Sequence, residues 1–150
     1  MIRKANIKDV KRIQELINYF AAKDLMIARS LNELYENIRD FWVWKEEGDI
    51  LGCAGLHVTG WQDMAEIKSL AVDKSKHKKG IGSQLVLKCL EEAKELAVKK
   101  VFCLTYSPKF FMRLGFKKIA KAKLPQKIWV ECCNCPKFPD CKEIALIKNL

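Results

Sequence analysis

The feature that most constrains this fold is a strand, a glycine-containing loop, a long helix and a second strand in direct succession. The segments MAEIKSLAV and KKVFCLTY are typical of strands. Between them, apolar residues recur at helical spacing and predict one long helix over 81–98. Two strands joined by a crossover helix lie parallel in one sheet. The sequence therefore predicts a mixed α/β domain.

The flanking segments predict further strands and short helices. NIKDVKRIQELINYFAAKD predicts an amphipathic helix, and RSLNELYENIRD a second one, with Ser30 as N-cap and Glu33 completing a capping box. MIRKA predicts a short edge strand, and FWVWKEEGDILGCAGLHVTG a hairpin that turns at Glu47-Gly48-Asp49.

Towards the carboxyl end, SPKFFMRLGF predicts a helix that begins near Pro108 and stops at Gly115. KKIAKAKLPQKIWVE and KEIALIKNL predict two more strands around an irregular insert. We therefore predict one domain over residues 1–150, with a cysteine-rich insert at about 132–141.

The charge balance fits either an anionic partner or a lysine-rich surface with no specific partner. Lys and Arg number 28 against 18 Asp and Glu, a net charge of +10. Such a surplus attracts nucleic acid or phosphorylated small molecules. No run interleaves basic and aromatic residues as a single-strand binder would, so nucleic acid is not favoured. The apolar runs are too short to span a bilayer, and the charged amino terminus is unlike a signal peptide. We expect a cytoplasmic protein that does not bind membranes.

The loop HKKGIGSQL has the composition of an anion site. The amino terminus of a helix has unpaired N–H groups and binds anions. Gly80 and Gly82 lack β-carbons, so backbone N–H groups can closely approach a pyrophosphate. Lys78 and Lys79 add positive charge. The spacing fits neither a Walker loop nor the GxGxxG fingerprint, in which Leu85 would have to be glycine. A plain strand-to-helix turn remains open.

The loop resembles the acyl-CoA loop of the GCN5-related N-acetyltransferase (GNAT) superfamily. That pattern is Gln/Arg-x-x-Gly-x-Gly/Ala, and His77 stands where Gln or Arg is usual. SLAVD resembles the strand beside the pantetheine arm, and FFMRLGF the later helix–turn–strand signature, with Phe111 where tyrosine is usual. The resemblance implies a single, mostly antiparallel sheet with a parallel pair at the acyl-CoA site, flanked by helices. It also implies acetyl-CoA as co-substrate and no catalytic metal. The implied cofactor-binding residues are Leu70, Ala71, Val72, His77, Lys78, Lys79, Gly80, Ile81, Gly82 and Ser83.

Four segments narrow this resemblance. RSLNELYENIRDF, AEIKSLAV, LTYSPKFFMRLGF and CPKFPDC together resemble the short, stand-alone N-acetylglutamate synthases and related amino-acid N-acetyltransferases of prokaryotes. This implies acetylation of the α-amino group of glutamate, the entry step of arginine biosynthesis. The expected partners are a small amino acid and acetyl-CoA, and a homodimer is left open. A protein or polyamine acceptor, or a non-catalytic module that binds acyl-CoA or nucleic acid, are the alternatives.

Acetyl transfer to an amine needs a base for the amine, a hydrogen-bond donor for the oxyanion and a proton for the leaving thiolate. Glu66 is the candidate base, because it lies on the strand just before the pantetheine segment. By resemblance, a backbone N–H near Leu70 stabilises the oxyanion. The resemblance implies a tyrosine acid at position 111, but Phe111 cannot donate a proton, so Tyr106 is the candidate acid. Loss of the free thiol without a dedicated acid remains open. Glu66 also fits a solvent-facing strand position, and Tyr106 a packing role.

An amino-acid substrate brings carboxylates, which arginine binds bidentately. Arg29 precedes the segment that resembles the family's substrate-side wall. Lys68 alternates with Glu66, so both should face one side of their strand. We assign Arg29 and Lys68 to substrate binding, with Arg39 and Arg113 as weaker candidates; each also fits an ordinary surface cation.

The seven cysteines fall into two groups. Cys53, Cys89 and Cys103 lie in apolar segments and are expected to be buried and inert. The others cluster near the carboxyl end, which indicates a local feature in a reducing compartment. The cluster is too compact for a zinc site of two paired knuckles. A metal site of Cys132, Cys135 and Cys141, a disulfide, or free thiols including Cys133 all remain open.

Overall fold

A computed structural model describes residues 1–59, 63–77, 79–124 and 143–150. The helices are α1 (Val10–Ala21), α2 (Leu31–Glu36), α3 (Ile81–Glu95) and α4 (Pro108–Arg113). The strands are β1 (Ile2–Lys4), β2 (Phe41–Glu46), β3 (Asp49–Val58), β4 (Met64–Val72), β5 (Lys100–Thr105), β6 (Lys117–Lys118) and β7 (Ile144–Asn149). None of the helices among these residues is long and apolar enough to cross a membrane.

The strands form one seven-stranded sheet in the order β1-β2-β3-β4-β5-β7-β6. β4 and β5 pair in parallel, with Glu66 opposite Phe102, and α3 connects them. The pairs β1–β2, β2–β3, β5–β7 and β6–β7 are antiparallel. The predicted mixed sheet with a parallel pair is therefore confirmed, as is the edge position of the first strand.

The described residues divide into two compact units. The first unit contains residues 1–56 and 67–92. On α1, Val10, Ile13 and Ile17 are fully buried because their spacing places them on one face of the helix. They join a core cluster with Leu16, Leu34, Phe41, Val43, Ile50, Cys53 and Ala71. The amphipathic helix predicted at the amino end is confirmed.

In the same unit, α3 packs directly on the backbone of β3. Leu85 and Val86 are fully buried. A β-carbon at Gly52 would lie 3.0 Å from Cδ1 of Leu85 and 3.1 Å from Cγ2 of Ile81. This approach is closer than nearly all real β-carbon contacts, so glycine at position 52 sets the distance between helix and strand. Glu47 and Gly48, both with positive φ, form the predicted hairpin turn.

The second unit contains residues 57–66 and 93–150. Its core cluster is Met64, Phe102, Leu124 and Ala145. The helix α4 begins at Pro108, and Gly115, with φ of +94°, follows its end as predicted. Our prediction that all 150 residues form one domain stays a prediction.

Two boundaries differ from the sequence prediction. The long helix ends at Glu95 rather than Val98, because Ala97 takes a left-handed φ of 63° and turns the chain. An alanine gives no sequence signal for such a turn, which usually carries glycine. The segment after Gly115 forms only the two-residue β6 and then a 3-10 turn, Lys121–Lys123, within the described residues.

Candidate active site

The glycine loop opens α3 as its sequence predicts. The backbone N–H of Gln84 donates to the carbonyl of Gly80 at 3.0 Å, so Gly80 caps the helix. The N–H groups of Ile81, Gly82 and Ser83 therefore precede the first helical hydrogen bond and have no acceptor inside the helix. Gly80 has φ of +78°, and a β-carbon there would meet nothing within 4 Å. Backbone conformation rather than space requires glycine here.

The turn that leads into this loop is held by two residues that sequence reasoning missed. Asp73 accepts hydrogen bonds from the backbone N–H and the hydroxyl of Ser75, at 3.0 and 2.7 Å. Arg12 on α1 donates from Nη2 to Asp73 Oδ2 at 3.1 Å and from Nε to the Ile50 carbonyl at 3.0 Å. The Ser75 bonds and the Arg12 charge lower the pKa of Asp73. Asp73 therefore stays a carboxylate and fixes the backbone at the start of the turn.

The imidazole of His77 contacts a backbone carbonyl and an aromatic ring of this chain. Its Nε2–H donates to the carbonyl of Val72 at 2.8 Å, and its ring stacks on Phe20, with centroids 5.7 Å apart and planes 11° apart. These contacts fix the end of β4 and the start of the loop relative to α1. A direct His77 contact to a cofactor stays a prediction. Lys78 lies outside the described residues.

The predicted base lies inside the fold rather than on a solvent-facing strand. The Glu66 residue is only 8% exposed, and it pairs in parallel with Phe102 of β5. Its charge reaches the Cys103 thiol, whose pKa is raised by burial and further by the carboxylates of Glu66 and Glu143. A buried carboxylate with a nearby apolar sheet is the kind of group that serves as a general base.

Further along β4, Ser69 departs from extended backbone within the strand. It has φ of 57°, in the left-handed region that is uncommon for a serine. The thiol of Cys53 donates to the Ser69 carbonyl at 3.4 Å, which holds this conformation from β3. Ser69 lies between the predicted substrate residue Lys68 and the predicted oxyanion donor Leu70. Neither composition nor periodicity indicated this conformation.

Arg29 lies in the segment before α2 with 17% of its side chain exposed. Its Nη1 donates to Oε2 of Glu33 at 2.7 Å, whereas its buried Nε has no hydrogen-bond partner in the described part of the chain. Ser30 caps α2 by accepting from the Glu33 N–H. The Glu33 carboxylate pairs with Arg29, which corrects the predicted capping box. Arg29 thus retains a donor that a substrate carboxylate could satisfy.

In the second unit, Tyr106 follows β5 and is half-buried. Phe111, where the family usually has tyrosine, is 5% exposed and packs edge-to-face with Phe110 and Phe116 at 5.0 and 5.3 Å. These ring contacts give Phe111 a packing role. The role of Tyr106 as the proton donor stays a prediction.

The cysteines that the structure describes behave as predicted. Cys53, Cys89 and Cys103 are buried and form no disulfide. Burial raises the pKa of the Cys53 and Cys89 thiols to about 12. Across residues 1–59, 63–77, 79–124 and 143–150, no group of His, Cys, Asp and Glu could hold a metal. The predicted metal candidates Cys132, Cys135 and Cys141, and the neighbouring Cys133, lie outside that range.

Comparison with known proteins identifies the family of this chain. The model of the family described as "Acetyltransferase (GNAT) family" matches residues 7–116. An uncharacterized N-acetyltransferase of Chlorobaculum tepidum is 40% identical over 99% of this chain and 96% of its own length. An amino-acid acetyltransferase of Mycobacterium tuberculosis is 35% identical over 89% of this chain and 78% of its own length.

Two solved structures have the same fold. A Mycobacterium tuberculosis protein in complex with CoA superposes with a TM-score of 0.84 at 30% identity, over 100% of this chain and 99% of its own. The N-acetylglutamate synthase of Neisseria gonorrhoeae, complexed with coenzyme A and N-acetylglutamate, gives a TM-score of 0.92 at 24% identity. This chain spans 35% of that longer protein.

Proposed function

Because this chain belongs to the GNAT acetyltransferase family and is an acetyl-CoA-dependent N-acyltransferase, we propose that it acetylates the α-amino group of a small amino acid, L-glutamate above all. The observation that carries the proposal is its 35% identity, over most of both chains, with an amino-acid acetyltransferase. The product would be N-acetylglutamate, and the enzyme would then act at the entry to arginine biosynthesis in the cytoplasm.

The amino terminus of α3 suits the pyrophosphate of acetyl-CoA. Three consecutive N–H groups, of Ile81, Gly82 and Ser83, lack an acceptor within the helix, and the helix dipole favours negative charge there. Lys79 and Lys78 supply further positive charge. Leu70, Ala71 and Val72 would present their backbone to the pantetheine arm.

In the proposed mechanism Glu66 takes a proton from the substrate ammonium group, directly or through a water molecule. The free amine attacks the thioester carbonyl carbon, and the N–H of Leu70 donates to the oxyanion that forms. The carbon–sulfur bond then breaks, and the departing CoA thiolate accepts a proton from Tyr106. The nitrogen loses its second proton as the amide forms, and that proton returns to the Tyr106 oxygen through solvent, so the net reaction releases one proton, the one taken by Glu66. The left-handed Ser69 supports the oxyanion role, because strained backbone of this kind clusters at functional positions.

The acceptor specificity would come from two cations. Arg29 has a buried Nε without a partner among the described residues, and its Nη1 already pairs with a carboxylate, that of Glu33. Lys68 supplies a second positive charge on β4. A dicarboxylic amino acid would use both, which favours glutamate over neutral amino acids.

The test is release of CoA thiol from acetyl-CoA across a panel of amino acids, polyamines and peptides. We expect turnover with glutamate above all other acceptors. Turnover with peptides or polyamines but with no free amino acid would overturn the proposal.

Two variants test the assigned residues. Glu66→Gln should lower kcat about a hundredfold or more with a smaller change in KM, since a general base contributes 10²–10⁴ in rate. Glu91→Gln, the same charge change at an exposed position of α3, should match the wild type. Arg29→Gln should raise the KM for glutamate far more than Arg39→Gln does. An unchanged KM in Arg29→Gln would remove Arg29 from the substrate site.

A further inference from the structure

A cationic cluster lies beside the glycine loop and is not used by the mechanism. Tyr19, near the end of α1, is 37% exposed. The Nζ of Lys23 lies 4.7 Å from the centroid of its ring, and the Nζ of Lys74 lies 5.4 Å from the same centroid. Two ammonium groups from different parts of the chain therefore meet on one phenol ring. We call Tyr19, Lys23 and Lys74 the Tyr19 cluster.

The cluster brings two positive charges together at one ring. In the part of the chain that the structure describes, neither Lys23 nor Lys74 forms an ion pair, whereas the neighbouring Lys76 pairs with Glu46 at 3.7 Å. The Lys23 contact, and more weakly Lys74, lower the pKa of the Tyr19 hydroxyl. Two ammonium groups and a hydroxyl that converge in this way offer hydrogen-bond donors to an anion.

The position of the cluster ties it to the cofactor loop. Lys74 begins the 3-10 turn Lys74–Lys76, which runs directly into His77 and the glycine loop. Phe20, the residue after Tyr19, stacks on His77. The cluster and the start of the loop are thus joined both along the chain and by a ring contact. An anion bound at the cluster would lie on the same side of the loop as α1.

We propose that the Tyr19 cluster binds the ribose 3′-phosphate of acetyl-CoA. The donor carries this phosphate monoester only a ribose away from the pyrophosphate, so a second anion site next to the loop matches its chemistry. Lys23 and Lys74 contact the phosphate oxygens, and the Tyr19 hydroxyl donates a third hydrogen bond. The inference rests on acetyl-CoA as the donor in the proposed function, and it does not depend on glutamate as acceptor.

The experiment compares the affinity of the full chain for CoA and for dephospho-CoA, which lacks the 3′-phosphate, by calorimetric titration. The wild type should prefer CoA about tenfold, because two partly exposed contacts contribute about threefold each. Lys23→Gln and Lys74→Gln should each reduce this preference about threefold, and the double variant should abolish it. The affinity for dephospho-CoA should not change. Raising the KCl concentration should weaken the wild-type preference.

Two further variants keep the result interpretable. Lys11→Gln removes an exposed positive charge from the same helix and should leave the preference for CoA intact. Tyr19→Phe keeps the ring and removes the hydroxyl, so it should reduce the preference by less than either lysine variant. Equal loss of affinity for CoA and dephospho-CoA, or a wild type that does not distinguish them, would overturn the proposal. Because the titration needs no acceptor, failure of glutamate turnover would not affect it.

Discussion

Replacement of Arg12 by alanine tests whether the turn before the glycine loop is held from α1. Arg12 donates to Asp73 Oδ2 at 3.1 Å, to Asp49 Oδ1 at 3.2 Å and to the Ile50 carbonyl at 3.0 Å. Asp73 in turn bonds Ser75, and its own N–H donates to the Leu51 carbonyl at 2.8 Å. Without Arg12, the turn loses its ion pair to α1 and keeps the ring contact of His77 with Phe20. The loop should therefore become less well ordered.

The size of the effect follows from exposure. The Arg12 side chain is 27% exposed, and its partners Asp49 and Asp73 are 57% and 27% exposed. Solvent weakens such ion pairs to about 1 kcal/mol or less each, and the bond to the carbonyl adds about 1 kcal/mol. The free energy of unfolding should therefore fall by about 2 kcal/mol. For a chain of this length the Tm should fall by about 4–8 °C.

The functional effect is separated from the loss of stability by a matched variant. Arg3 is also 27% exposed, and it bonds Asp9 at 2.7 and 2.9 Å and the Lys4 carbonyl at 3.0 Å. Arg3→Ala should therefore cost similar stability but leave the turn intact. We expect Arg12→Ala alone to raise the KM for acetyl-CoA, about fivefold for 1 kcal/mol of lost loop order. If both variants gave the same KM for acetyl-CoA, a positioning role for Arg12 would be wrong.

Two other predictions concern stability. Gly115→Ala should destabilise the protein by about 1–2 kcal/mol in urea unfolding, because φ of +94° is strained for any residue with a β-carbon; recovery on adding Lys148→Ala would instead attribute the loss to the neighbouring ammonium group. The Arg3 hydrogen bond lowers the pKa of Asp9 below its ordinary value of 3.8, so its contribution to stability is complete above that value and is lost as the pH falls below it. Unfolding of Asp9→Asn should depend less on pH below 4 than unfolding of the wild type, and identical pH profiles would contradict this.

The sequence was sufficient where local pattern and fold agree. The buried face of α1, the hairpin turn, the parallel pair and the glycine loop all follow from spacing and from glycine at positions of positive φ. The end of α3 was not predictable, since Ala97 takes a left-handed conformation without the usual glycine. Local signals cannot show a residue whose conformation is imposed by the rest of the fold.

Arg12 and Asp73 were missed for a related reason. Their side chains meet across 61 residues of sequence, and a charged residue on the polar face of an amphipathic helix looks like any other surface cation. Arg29 was assigned to the substrate site only through a family resemblance, and that role stays a prediction. The sequence predicts that the Glu33 carboxylate completes a capping box. In the structure that carboxylate pairs with Arg29 instead.

Ser69 gives the strongest physical argument for where the chemistry lies on β4. A serine at φ of 57° costs about 1–3 kcal/mol that glycine would largely avoid. The Cys53 thiol holds this conformation by donating to the Ser69 carbonyl. Cys53, which the sequence predicts to be an inert buried thiol, therefore has a specific structural contact. Local rules tend to be broken at functional positions. Ser69 lies between Lys68 and Leu70, three residues beyond the buried Glu66. The strained backbone therefore lies within the segment to which the base, the oxyanion donor and a substrate cation are assigned.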